Sequence, residues 1–173
     1  VDSDRVLIRG GRESPVTSTI TIDPQSPPAA NLIANGSDQY TVTIKLSDEF
    51  GNPITGVRPN FTTNVLGDAI IPPSQNTDQD GETVGYLSAT VADSPPSLIR
   101  EASISSPGGL STVTTLAPFT HGTANRLFFT VQPLTSPAGP MNINTMSVTV
   151  QDAQGNTITS GPNASATVNQ KNR

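Results

Sequence analysis

The chain has 173 residues, enough for one large domain or one to two sandwich-sized ones, and only 33% of them are hydrophobic. Its 16 prolines and 14 glycines separate short alternating runs rich in Val, Ile and Thr, which is typical of an all-β protein with frequent turns. The net charge is −5, and no cluster of Lys and Arg offers a surface for phosphates. We therefore expect no nucleic-acid partner.

The absence of cysteine excludes disulfides, thiolate zinc sites and a cysteine nucleophile. No apolar run approaches the roughly 18 residues of a membrane span, so we expect this segment not to span a membrane. The chain begins at Val1 without a basic and then apolar leader. We interpret Val1 as a processed or excised start.

Residues 1–17 contain one short apolar run, residues 6–8, between charged residues and two glycines. Two interpretations stay open. The run is either part of a linker or the last strand of a preceding module, or it is an arm that pairs with the exposed sheet edge of another subunit.

Seven short strands are predicted between residues 17 and 116, and no segment has a helical period. The clearest strand covers residues 40–46, where Tyr, Val, Ile and Leu alternate with Thr and Lys. Gly51 and Pro53 then break the strand and predict a turn. The other six predicted strands are residues 17–22, 57–64, 69–71, 83–91, 99–105 and 110–116. This spacing of strands and turns predicts a β-sandwich.

The alternation within each run also identifies the side chains expected in the core, because successive residues of a strand face opposite sides of its sheet. The predicted core residues are Ile20, Ile22, Val42, Ile44, Leu46, Phe61, Leu87, Val91, Ile104 and Val113. Gly85 and Ala89 are expected to face inward as well.

An internal repeat relates residues 41–55 to residues 145–159 at a constant spacing of 104 residues. Six positions are identical, among them the Asp, the Gly and the Asn of the turn. A second match relates residues 21–24 to residues 130–133. Such a repeat predicts two copies of one module, with the join near residues 118–124.

The predicted organisation is an arm or linker at 1–17, a sandwich at 18–119, a linker at 120–124 and a partial second module at 125–173. The second module holds only three strand-like runs, at residues 127–131, 145–150 and 164–168. Three strands cannot cover both faces of a sandwich. Either the natural chain continues, or another chain supplies the missing strands.

Two motifs within residues 18–119 resemble the bacterial immunoglobulin-like (Ig-like) domains of the invasin and intimin type. They are the Asp-x-x-Gly-Asn turn in SDEFGNPITGV and the segment TDQDGETVGYLSATV. The stretch from LFFTVQP to QDAQGNTIT resembles the opening of another such domain. The resemblance implies an Ig-like β-sandwich that serves as a stalk module of a cell-surface adhesin or of another extracellular or virion fibre. It brings no catalytic residues to this chain.

The acidic residues offer two candidate sites, and we favour a structural role at both. Asp78, Asp80 and Glu82 resemble the oxygen ligands of a calcium loop, but the distant Glu of such a loop is missing, so a turn is favoured. Asp48 and Asp152, with Glu49 beside the first, suggest paired catalytic carboxylates. Because these Asp residues are equivalents in two repeats, we expect each to bind the backbone of its own turn.

His121 is the single histidine of the chain, and we expect it to be a solvated linker residue and not a catalytic or metal-binding one. Asn35, Asn60 and Asn163 fit the glycosylation acceptor pattern, which occurs by chance in a sequence so rich in Ser, Thr and Asn. We expect no catalytic residue, no metal and no cofactor.

The sequence therefore predicts a non-enzymatic structural module of a cell-surface or extracellular fibre or adhesin. Its expected partners are neighbouring Ig-like modules or identical subunits, and a protein or glycan receptor on a host surface. One alternative is a filament or virion-surface subunit completed by strand donation between chains. Another is a carbohydrate-binding accessory domain. The lack of Trp disfavours it, as does our expectation that the two Tyr and five Phe lie mostly inside.

Overall fold

The computed structural model describes residues 11–24, 32–94, 98–105, 111–131 and 147–164, and all of their regular structure is β. The strands are β1 (Thr19–Asp23), β2 (Leu32–Ile33), β3 (Gln39–Lys45), β4 (Asn60–Thr63), β5 (Ala69–Ile71), β6 (Glu82–Ser88), β7 (Glu101–Ser105), β8 (Ser111–Leu116), β9 (Phe119–Thr120), β10 (Arg126–Val131) and β11 (Ser147–Gln151). Within these ranges there is no helix long and apolar enough to cross a membrane.

Seven of the strands form the predicted β-sandwich. One sheet has the order β1-β3-β6-β5 and the other the order β4-β7-β8, and every pairing within them is antiparallel. Four strands facing three in this order is the arrangement of a constant-type Ig sandwich. The prediction of an all-β, Ig-like fold is confirmed. We call residues 11–119 the sandwich below.

Strand β3 lies inside the larger sheet, between β1 and β6. Tyr40, Val42 and Ile44 are fully buried, and so is Leu46 just after the strand, whereas the threonines between them are only half-buried. The alternation of side chains along a strand places every second residue in the core. The predicted register of this strand is therefore confirmed.

Eight of the ten predicted core residues are buried, and Val113 is half-buried and packs against the core. The prediction that Val91 lies in the core is wrong, because its side chain is 45% exposed. Strand β6 ends at Ser88, and Leu87, Ser88 and Ala89 are buried in succession, so the alternation is lost before residue 91. The carbonyl oxygen of Val91 accepts a hydrogen bond from the buried Arg100, so the main chain there faces inward and the side chain faces outward.

Several strand boundaries also differ from the prediction. The strand expected at 57–64 begins only at Asn60, because Pro59 has no N–H to donate to a ladder. Strands β2 and β9 were not predicted at all. They form a two-residue parallel pair, in which Leu32 lies opposite Phe119. Two residues are too few to show a period of 2 in a sequence.

Strands β10 and β11 form a separate antiparallel pair. We call the described part of residues 122–164 the second unit. Phe129 and Val131 are 43% and 48% exposed, whereas their repeat equivalents Ile20 and Ile22 are buried in the sandwich. The difference arises because no described residues form a sheet opposite β10 and β11.

The expectation that the aromatic residues lie mostly inside is wrong for four of the seven. The exposed ones are Phe50, Tyr86, Phe128 and Phe129. The apolar run at residues 6–8 lies outside the described residues. The strand expected at 164–168 begins in a turn at Ala164, and the rest of it also lies outside them.

Candidate functional site

Three turns with the sequence Asp-x-x-Gly share one geometry, and they begin at Asp48, Asp78 and Asp152. In each turn, Oδ1 of the Asp accepts the N–H groups of the residues two and four positions later, at 2.8 to 3.0 Å. The glycine three positions later has a φ of 83°, 76° and 96°, respectively. Only glycine adopts this backbone region without a steric cost, so the pattern of the turn follows from its geometry.

The turn geometry also accounts for the candidate calcium residues. Oδ1 of Asp78 binds backbone N–H groups, as we expected for a turn. The carboxylate of Glu82 pairs with Lys45 Nζ at 3.1 Å instead of turning toward Asp78. Across the described ranges, no three His, Asp or Glu side chains converge as metal ligands would.

The turns at Asp48 and Asp152 have a further contact, because an Asn occupies the fifth position of each. Asn52 Nδ2 donates to Asp48 Oδ2 at 3.0 Å, and Asn156 Nδ2 donates to Asp152 Oδ2 at 2.9 Å. Each carboxylate is therefore held within its own turn. This is the structural role that the repeat predicted for both Asp residues.

A glycine from the preceding segment completes each of these two carboxylate sites. The N–H of Gly11 donates to Asp48 Oδ2 at 3.3 Å, and the N–H of Gly122 donates to Asp152 Oδ2 at 2.9 Å. A Cβ at Gly11 would lie 3.0 Å from the Cβ of Asp48, and one at Gly122 would lie 3.4 Å from Asp152 Oδ2. Both turns thus bind the chain that leads into them.

These hydrogen bonds lower the pKa of both carboxyl groups. The side-chain amide of Asn52 is the main cause of the low pKa of Asp48. Burial by itself raises the pKa of Asp152, but hydrogen bonds from the Gly122 N–H and from Asn156 outweigh it and hold that pKa below its usual value. Donors that stabilise a carboxylate favour its ionised form.

Acid should therefore destabilise the fold through these two turns. A carboxyl group whose pKa is lower in the folded state contributes stability above its unfolded pKa of about 3.9, and this contribution is lost as the pH falls through the folded pKa. We expect Asp48→Asn to reduce the loss of unfolding free energy below about pH 4, as measured by urea unfolding across pH. Glu49→Gln, which removes an exposed carboxyl group from the same turn, is the control. An unchanged acid slope in Asp48→Asn would contradict this account.

Asn156 also joins the second unit to the sandwich. Its Nδ2 donates to the carbonyl oxygen of Thr90 at 3.0 Å and, at a longer 3.4 Å, to that of Ala34. Its Oδ1 accepts the N–H of Ala92 at 2.8 Å. We call the loops at residues 33–37 and 89–94 the distal end of the sandwich. One side chain thus closes its own turn and binds three backbone groups of the distal end.

His121 makes a second contact at this junction. Its Nδ1 lies 2.9 Å from the carbonyl oxygen of Gly122, and its Nε2 lies 3.2 Å from the backbone nitrogen of Ser160. A carbonyl oxygen only accepts and a backbone N–H only donates, so the ring carries its proton on Nδ1. The half-buried, hydrogen-bonded His121 is not the solvated residue that we expected.

A buried arginine, Arg100, holds the loop at residues 89–94 of the distal end. Arg100 is fully buried, and its Nε contacts Asp68 Oδ2 at 2.8 Å while its Nη1 contacts Asp93. Its Nη2 donates to the carbonyl oxygen of Val91 at 2.8 Å. The guanidinium lies 5.1 Å from the centre of the Phe119 ring, within the range of a cation–π interaction. Sequence reasoning missed this cluster, because residues far apart in the chain supply its charges.

Burial raises the pKa of Asp93, and the positive charge of Arg100 opposes that increase. A cavity of about 430 Å3 next to the cluster is lined by Asp93, Arg100, His121 and Thr159, among others. Its two charged groups already pair with each other, and its histidine is held by Ser160. These side chains therefore stabilise the loops at the junction, and they do not place a nucleophile beside a base.

Of the three glycosylation candidates, Asn35 lies in a loop of the distal end, and Asn60 is the first residue of β4. Asn35 Oδ1 accepts the N–H groups of Ser37 and Asp38, so this side chain closes its own loop. Asn60 Oδ1 accepts the N–H of Phe61. Asn163 is exposed in a turn.

Several bacterial proteins have solved structures with a similar fold. Invasin, a bacterial integrin-binding protein, has 20% identity and a TM-score of 0.60, and the match covers 87% of this chain and 29% of that one. InvD of Yersinia pseudotuberculosis has 19% identity and a TM-score of 0.57, with coverages of 86% and 44%. FdeC, an Escherichia coli adhesin, has 17% identity and a TM-score of 0.53, with coverages of 83% and 43%. This chain thus spans less than half of each, and the similarity shows the fold.

No curated protein matches the sequence significantly. Residues 16–116 match the family of bacterial Ig-like domains, group 1. This stretch contains all seven strands of the two sandwich sheets and covers more than half of the 173-residue chain. The chain therefore belongs to the family of group 1 bacterial Ig-like domains.

Proposed function

We propose that the chain is a non-enzymatic structural segment of a bacterial cell-surface adhesin. Residues 18–119 are one Ig-like module, residues 120–124 connect it to the next, and residues 125–173 open a second module. The family supports this proposal, and so does the fold that the chain shares with invasin and FdeC. The turn that recurs at Asp48 and Asp152 supports the two-module organisation.

The observation that carries the proposal is the set of hydrogen bonds made by Asn156 across the junction. Its partners on the distal end are backbone groups of Ala34, Thr90 and Ala92. Backbone groups of packed loops move less than surface side chains, so a side chain bound to three of them restricts rotation of one module against the next. The function of the segment is to hold successive modules of a stalk in a fixed orientation.

Replacing Asn156 should loosen the junction without unfolding the sandwich. In Asn156→Ala, the N–H of Ala92 loses its acceptor, and we expect its hydrogen exchange to become about tenfold faster or more. Exchange measured by NMR on the full chain tests this expectation. Thr157→Ala, at the next residue of the chain, is the control, because the side chain of Thr157 is exposed. Equal exchange at Ala92 in both variants would overturn the role of Asn156.

The cell-surface location needs a test of its own. Antibodies raised against the purified chain should label intact cells of the bacterium that encodes it. Labelling that requires permeabilised cells would contradict the location, and with it the role in an adhesin. An antibody against a cytoplasmic protein is the control for cell integrity.

The exposed apolar residues of the second unit favour one alternative assembly. Leu127 and Phe129 on β10 are about half exposed, because a two-stranded sheet by itself cannot cover its apolar side chains. Strands donated by another chain would cover them, and head-to-tail donation would build a filament. Light scattering of the full chain and of a chain without residues 1–10 tests this assembly. Polymers that need the deleted residues would support it, and a monomer in both cases would exclude it.

Carbohydrate binding is the competing class of function. Of the exposed aromatic residues, Phe50 is 80% exposed, while Phe128 and Tyr86 are about half exposed. Planar aromatic rings are the usual platform for sugars, so a glycan array is the relevant test. Selective, tight binding of a glycan would show that the chain is a carbohydrate-binding domain and not a purely structural one.

A further inference from the structure

The turn of the second unit that binds the sandwich has a close counterpart on the sandwich itself. We call the turns at Asp48 and Asp78, together with Gly11, the proximal end of the sandwich. The N–H of Ser14 bonds to Ser47 at 2.8 Å, just as that of Asn125 bonds to Gln151 at 2.8 Å. In both turns the Asp N–H bonds to the Asn carbonyl oxygen at 2.9 Å. The second unit therefore meets the distal end with a turn that has the same hydrogen bonds as the Asp48 turn of the proximal end.

Asn52 on the proximal end corresponds to Asn156, but the two side chains have different surroundings. Asn156 is half-buried and binds three backbone groups of the distal end. Asn52 is exposed, and among the described residues its amide binds only Asp48. Both Asp residues also bind the glycine that leads into the turn, Gly11 or Gly122. Asn52 therefore lies on the side from which the chain enters the sandwich.

Phe50 supplies an independent observation. It corresponds to Gln154, which lines a cavity of about 220 Å3 between the second unit and Ile33 and Asn35 of the distal end. A phenyl ring at that position would fill such a cavity better than Gln154 does. On the proximal end the side chain of Phe50 is 80% exposed, so it is available to a partner.

We propose that Asn52 and Phe50 form the docking surface for another Ig-like module, one that precedes Gly11 in the same chain. Asn52 binds the backbone of the distal loops of that module, and Phe50 packs against its counterpart of Ile33. The contact of His121 with Ser160 has no equivalent, because Gly56 occupies the position of Ser160 in the repeat. Asn52 and Phe50 are then the side chains that determine the contact. This inference rests on the proposed function, in which the second unit is itself a module.

A tandem chain tests the proposal directly. In it, residues 11–121 are duplicated, so that one complete sandwich precedes the Gly11 of the next, and the chain described here is the reference. We expect the side-chain amide of Asn52 in the downstream sandwich to exchange its protons about tenfold more slowly than in the reference. The amide of Asn156 should exchange equally in both chains, which confirms that the tandem chain is folded.

Phe50 gives a second readout. Phe50→Ala should leave the unfolding equilibrium of the reference unchanged but shift it about tenfold toward the unfolded state in the downstream sandwich, because the ring is buried only there. Leu66→Ala is the matched control, since Leu66 is 99% exposed and lies near Asp68, at the opposite end from Phe50.

Equal exchange of Asn52 in the two chains, or an equal effect of Phe50→Ala in both, would overturn the inference. If Asn156→Ala still speeds the hydrogen exchange of the Ala92 N–H, the proposed function survives, and only the docking surface at Asn52 and Phe50 is refuted. If Asn156→Ala has no effect at Ala92, the proposed function itself fails.

Discussion

Arg100→Met should lower the free energy of unfolding by about 3–5 kcal/mol, because it leaves two buried carboxylates without their counter-charge. Asp68 and Asp93 have side-chain exposures of only 2% and 7%, and both contact the fully buried guanidinium. The variant also removes the hydrogen bond to the carbonyl oxygen of Val91 and the contact with Phe119. Urea unfolding at pH 7 measures the change.

Lys45→Met is the control for this prediction. The pair between Lys45 and Glu82 has a similar separation of 3.1 Å, but its side chains are 42% and 43% exposed. Exposed pairs contribute about 0–1 kcal/mol, so this variant should lose far less stability than Arg100→Met. Similar losses in the two variants would show that the buried cluster does not hold the distal end. Adding Asp93→Asn to Arg100→Met should restore part of the loss, because it removes one of the two unpaired charges.

Gly81→Ala should cost roughly 2–5 kcal/mol of stability, from a left-handed backbone at about 1–2 and overpacking at about 1–3 kcal/mol. Gly81 has a φ of 76°, and a Cβ there would lie 2.5 Å from the carbonyl oxygen of Leu46 and 3.2 Å from the nitrogen of Ile54. These are backbone atoms on either side of the Asp48 turn that bond to each other, so they cannot move aside as a flexible side chain would.

Gly51→Ala separates the two causes. Gly51 has a similar φ of 83°, but a Cβ there would meet no heavy atom within 4 Å. The free energy of unfolding should therefore fall in Gly51→Ala only by the backbone cost, about 1–2 kcal/mol. Thermal and urea unfolding of both variants would refute the packing argument if Gly51→Ala lost as much stability as Gly81→Ala.

The parts of the fold that repeat a local pattern could be predicted from the sequence. Strand β3 shows its period of 2 over seven residues, so its buried face was evident, as was the glycine that its following turn needs. Val91 marks the limit of this reasoning. The alternation of residue types does not show where the strand ends. After the strand, the carbonyl oxygen of Val91 points inward to bond with Arg100, and its side chain points outward.

The junction could not be predicted, because its contacts join residues that are distant in the chain. Asn156 and Ala34 are 122 residues apart, and the partner groups are backbone atoms that any residue type provides. Arg100 and Asp68 are separated by 32 residues, and nothing in their own sequence neighbourhoods indicates a buried pair. The repeat did predict that Asp48 and Asp152 are equivalent. It could not indicate that the Asn of one turn binds the distal end of the sandwich.

Residual dipolar couplings of the full chain in a weakly aligning medium test the central claim, that Asn156 fixes the second unit to the sandwich. We expect one alignment tensor to fit the N–H couplings of β1, β3 and β6 together with those of β10 and β11. In Asn156→Ala, the two groups of strands should require different tensors. Two different tensors in the unaltered chain would contradict the claim, because the junction would then be a flexible linker.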